Sequence, residues 1–77
     1  MIFWPAVMSA TQRRRWAAEL ERNAPQRVTV RAAAALLKVD PARFQAFLRD
    51  RLGLAVGLDT ELSREVLAER LRGPNVS

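Results

Sequence analysis

Residues 30–52 read VRAAAALLKVDPARFQAFLRDRL, and where this stretch divides decides the fold. The dividing point is Asp40-Pro41. A carboxylate at the cap position accepts from the free N–H groups of a helix start, and Pro fits the first helical position, where no N–H bond is lost. A helix is therefore expected from Pro41 to about Leu52. Along it Phe44, Phe47, Leu48 and Leu52 fall on one stripe at about 100° per residue. Ala42, Arg43, Gln45, Ala46, Arg49 and Asp50 occupy the rest of its surface. Arg49 and Arg51 complement the negative helix end, and Gly53 is a natural stop. On the other side of the corner, Thr29 caps a helix from Val30 to about Lys38. Its inner positions are Val30, Ala33, Ala34 and Leu37. The methyl groups at Ala33 and Ala34 let another helix backbone approach closely.

Upstream, Ser9 or Thr11 caps a helix running to about Asn23. Trp16 and Leu20 share a face with Ala17 and Ala24 beside them, and Arg14, Arg15 and Arg22 lie away from it. Arg13 lies nearer the stripe and is expected to snorkel. Pro25 ends this helix, because it restricts the residue before it and cannot continue the ladder. Arg27-Val28-Thr29 is short and β-prone. Downstream, Leu54-Ala55-Val56 lies between Gly53 and Gly57 and is expected to be extended, with Arg27-Val28-Thr29 as its candidate partner. Asp59 or Thr60 is expected to start a last helix, to about Arg72, with Leu62, Val66, Leu67 and Leu71 inward and Glu61, Glu65 and Glu69 solvated. Gly73-Pro74 stops it.

The fold class that follows is mainly α. A bundle of about four short helices holds a helix-turn-helix-like pair and at most a tiny two-stranded element. Residues 9–73 form this single helical domain, 74–77 a loose tail and 1–8 an apolar N-terminal arm. The arm is too short to span a bilayer and has neither a basic leading region nor a small-residue cleavage site. Two readings of it stay open. It is an appended tail, or Ile2, Phe3 and Trp4 pack on the domain or on a partner.

The chain has 77 residues, no Cys and no His. That excludes a disulfide scaffold, a thiol nucleophile, a zinc finger and imidazole acid–base chemistry. Its acids are scattered among arginines, and Ser9, Ser63 and Ser77 lack a base. No catalytic residue, metal site or cofactor is expected. The net charge is +5, and Lys38 is the single lysine among 13 bases. Residues 9–51 carry ten bases against four acids, whereas residues 52–77 carry three against four. Such asymmetry suits a nucleic-acid binder, since neutralising phosphates releases counterions.

Val30 to Asp40 resembles the first helix and turn of bacterial helix-turn-helix regulators of the excisionase and MerR-like kind, and Pro41 to Arg49 resembles their recognition helix. The resemblance implies that the two inner alanines sit at the helix crossing, that Val39 plugs the turn, and that Phe44, Phe47 and Leu48 fill hydrophobic slots. Lys38 departs from the pattern, standing where that family usually has Gly. Residues 28–73 also resemble the small N-terminal domain of bacterial translation initiation factor 2, whose pattern continues through Leu54-Ala55-Val56 and Leu58 to Leu62 into a final helix. That second resemblance implies helices around a small extended element. It does not imply a GTPase, because the chain has no phosphate-binding Gly-rich loop.

Three functional expectations follow. The first is DNA binding by a small cytoplasmic regulator. Arg43 and Arg49 would contact guanine edges or phosphates, Gln45 would pair with adenine, and Arg27, Arg31, Arg14 and Arg15 would grip the backbone. A homodimer would extend the site, since one domain reads few base pairs. The second is a phage- or plasmid-type regulator that binds RNA polymerase or another acidic protein surface through the Ile2, Phe3 and Trp4 arm. The third is association with RNA or the ribosome.

Overall fold

The computed structural model describes Trp4, Pro5 and residues 8–73. The element order is α1 (Ala10–Asn23), β1 (Arg27–Thr29), α2 (Val30–Leu37), α3 (Pro41–Leu52), β2 (Glu61–Ser63) and α4 (Arg64–Arg72). This is the expected mainly α bundle with one two-stranded element. Each helix opens on a side-chain cap. Ser9, Thr29, Asp40 and Ser63 accept from the backbone N–H groups of Gln12, Ala32, Arg43 and Val66.

The corner between α2 and α3 is tight. Lys38 adopts the left-handed conformation (φ 62°, ψ 40°) and is the one non-glycine residue with positive φ among those described. Its N–H donates to the Ala35 carbonyl at 3.1 Å, and the Val39 N–H donates to that of Ala34 at 3.0 Å. These two bonds form a Schellman motif, which satisfies the last carbonyls of α2 and turns the chain sharply. Val39 is buried at the corner, and Gly53 (φ 70°) supplies the same left-handed step at the end of α3.

Trp16, Ala17 and Leu20 of α1 meet Leu67, Ala68 and Leu71 of α4, with Val30, Ala33 and Ala34 of α2 and Phe44, Phe47 and Leu48 of α3 completing the core. The Trp16 ring meets Phe44 and Phe47 edge-on, with centroids 5.6 and 5.9 Å apart. Edge-to-face contact is favourable because the ring edge is positive and its face negative. Ala33 and Ala34 are fully buried, as expected of small residues at a helix crossing.

Two expectations in the last third are corrected. Arg27–Thr29 pairs antiparallel with Glu61–Ser63, not with Leu54-Ala55-Val56 (Val28 opposite Leu62). The Leu54 to Leu58 segment instead pairs with no described strand, with Leu54, Val56 and Leu58 packed against the core and the Leu58 carbonyl accepting from the Arg31 N–H of α2 at 2.9 Å. Its backbone is held by the Leu54 N–H on the Leu48 carbonyl and by the Gln45 amide on the Val56 carbonyl. Consequently α4 starts at Arg64, not at Asp59 or Thr60. Thr60 spends its hydroxyl on the Gly57 N–H, closing a turn, and residues 61–63 gain a strand partner instead of a helical turn. The later start rotates the inward face to Leu67, Ala68 and Leu71. Leu62 becomes a strand residue, and Val66 points outward, 46% exposed.

Candidate nucleic-acid interface

The twelve arginines divide by what their guanidinium groups touch. Arg13, Arg64 and Arg70 are structural. Arg13 Nε donates to the Leu71 carbonyl at 2.9 Å, Arg64 to that of Ala24 at 3.0 Å and Arg70 to that of Leu52 at 3.1 Å. Each closes the carboxyl end of a neighbouring helix, where carbonyls lack intrahelical partners and the dipole favours a cation. Arg13 also lies over the Phe47 ring, 5.7 Å from its centroid, as its expected snorkelling requires.

Five more are in ion pairs: Arg22 with Glu19, Arg27 with Glu61, Arg31 with Asp59, Arg49 with Asp50 and Arg72 with Glu21. Each pair is solvent-accessible, so it contributes only about 0–1 kcal/mol to the fold. Arg14, Arg15, Arg43 and Arg51, together with Lys38, have no carboxylate within ion-pair distance among the described residues.

The expected site residues therefore fare differently. Arg43 is exposed on α3, beside a groove whose lining also includes Trp4, Met8, Phe47, Asp50 and Arg51. Arg14 and Arg15 are exposed on α1. Arg27 and Arg31 form a mixed-charge patch with Glu61 and Asp59 near the small sheet, at 3.7 and 3.2 Å. Arg49 Nε donates to Asp50 at 3.0 Å, and this hydrogen bond, then the negative charge itself, raises the guanidinium pKa above its ordinary value. Gln45 has another task from the one expected. It is half-buried, and its amide N–H holds the Val56 carbonyl at 2.9 Å.

Ile2 and Phe3 of the expected arm lie outside the described residues. Trp4 is half-buried and packs on the domain, 5.7 Å from the Trp16 ring and 6.3 Å from that of Phe47. Trp4 and Phe47 of this cluster line one groove, and Trp16 lines a second. Arg43 and Arg51 flank the first, and Arg15 and Lys38 the second, which lies between α1 and the end of α2. Lys38 and Arg51 were absent from the expected set. In the sequence Lys38 stands out by its place at the corner where Gly is usual, and Arg51 by its place at the negative end of α3; neither signal marks a groove.

No helix among the described residues is long and apolar enough to cross a membrane, and none of their Asp and Glu side chains cluster in threes as a metal site would need. No family model matches the chain, and neither a curated protein nor a solved structure matches it significantly.

Proposed function

We propose that this chain is a small DNA-binding regulator that docks its α2–corner–α3 unit on a duplex. The observation that carries the reading is the sorting of its cations. Of the bases without a carboxylate partner among the described residues, Arg43 and Arg51 flank the groove beside α3, which Asp50 also lines, and Arg15 and Lys38 flank the one beside the corner, which Glu19 also lines; the paired Arg27 and Arg31 sit by the sheet. Between Arg43 and Arg49 the face of α3 carries exposed Ala42, half-buried Ala46 and the carboxylate of Asp50; the two small residues leave room for a groove wall to approach the helix backbone. In this reading Arg43 and Arg49 meet base edges, and Arg14, Arg15 and Arg51 meet phosphates. It carries with it a cytoplasmic location and no catalytic step.

A second reading has one observation in its favour. The groove lined by Trp4, Pro5, Met8, Ala46 and Phe47 is partly apolar and rimmed by Arg43 and Arg51 with Asp50 between them in the chain, a rim with a net positive charge that suits an acidic, amphipathic protein surface such as one on RNA polymerase. Single-stranded RNA has less support, because the described aromatic rings pack edge-on or tilted against one another instead of offering a free platform for bases. Titration of a random-sequence duplex at low and moderate salt decides among them. Binding that weakens steeply with salt, and weakens further in Arg43→Ala, is the expected result. No binding at low salt would sink the DNA reading and leave the protein partner.

A further inference from the structure

We propose that Lys38 and Arg15 form a phosphate clamp on the helix corner, an inference that rests on the duplex-binding reading. The chain has one lysine, and it stands at the one described non-glycine position with positive φ. A left-handed backbone is disfavoured for a residue with a Cβ and free for glycine, so glycine would serve the fold better there. Strain of this kind persists where the surrounding structure holds it, as the two corner bonds do here, and such positions cluster at functional sites.

Among the described residues nothing uses the ammonium. Lys38 is exposed, and no carboxylate lies within ion-pair distance among the described residues. It lines the groove between α1 and α2 with Arg15 across from it. The acid of that groove, Glu19, is already engaged by Arg22 and Asn23. Two cations without partners therefore share one opening.

The backbone under Lys38 is fixed on both sides. Its own N–H and that of Val39 are bonded back into α2, and Val39 is buried. The ammonium thus projects from a rigid corner beside the proposed reading helix, where a phosphodiester running along the groove edge would pass. Such a contact carries no base preference; it sets the register of α3.

The test uses the full chain with Lys38→Gly, Lys38→Gln, Lys38→Arg and Arg15→Gln. Thermal unfolding is measured alongside duplex affinity at several salt concentrations. Lys38→Gly relieves the strain, so Tm should rise by about 4–8 °C, while the slope of log affinity against log salt becomes shallower by about 1. Lys38→Gln keeps the strain and the stem, so Tm stays near that of the parent while the slope falls equally. Lys38→Arg keeps the slope, and Arg15→Gln lowers it by a similar step. A parent that binds duplex with a slope unchanged in Lys38→Gly and Lys38→Gln overturns the clamp and leaves the DNA reading standing. A lower Tm and weaker binding in Lys38→Gly, with parental binding in Lys38→Gln, also overturns it, because the stem would then be packing. A parent that does not bind duplex overturns both.

Discussion

A guanidinium aimed at a helix carboxyl end contributes more to this fold than one facing a surface carboxylate. The first satisfies carbonyls that would otherwise lack partners at a packed junction, as half-buried Arg13 and Arg64 do. The second exchanges water for an ion at little net gain, so it yields readily to a phosphate. Asp50 is the side chain where this matters most. It lies outward on α3 and holds Arg49 by a 3.0 Å bond with both groups more than half exposed. Its charge opposes an approaching polyanion. Asp50→Ala should therefore tighten duplex binding at low salt by roughly 2–5-fold, with the gain fading as salt screens the charge. Loss of affinity instead would mean that the carboxylate aims Arg49 at its target and that the pair acts as a unit.

Between elements, the deciding contest is for residues 60–63. Thr60 and Ser63 are both acceptable helix caps, and the local pattern cannot rank them. What ranks them is Arg27–Thr29, more than 30 residues earlier, which takes Glu61–Ser63 as its strand partner. By contrast, α3 is legible because Asp40, Pro41, the phenylalanine spacing and Gly53 all agree within one stretch. The site was legible to the same depth. The outward position of Arg43 and Arg49 follows from helix phase alone. That Asp59 and Glu61 would occupy Arg31 and Arg27 does not, because those pairs form only after the sheet closes. The start of α4 is tested by comparing Ser63→Ala with Thr60→Ala in urea unfolding. Ser63→Ala removes the cap and should cost about 1 kcal/mol, with a span of roughly 0.5–2. Thr60→Ala loses only a turn contact to the Gly57 N–H and should cost less. The reverse ranking would put the helix start back at residue 60.

At the scale of the whole molecule, the net charge of +5 overstates some faces and understates others. The side bearing Arg27, Arg31, Glu61 and Asp59 is close to neutral, while Lys38 and Arg15 beside the α2–α3 corner have no carboxylate within ion-pair distance among the described residues. Salt dependence measures which surface a polyanion covers. If Arg14, Arg15, Lys38 and Arg51 each neutralise one phosphate and Arg43, on a base edge, displaces one further counterion, roughly five contacts give a slope near −4.5. If Arg27, Arg31 and Arg49 also leave their carboxylates, the slope steepens toward about −7, because each exposed pair is weak enough to be exchanged. Arg27→Ala and Arg31→Ala separate the two cases. With the corner as the contact surface, both variants keep the parental slope. A slope that falls in each would move the interface to the sheet face and away from α3.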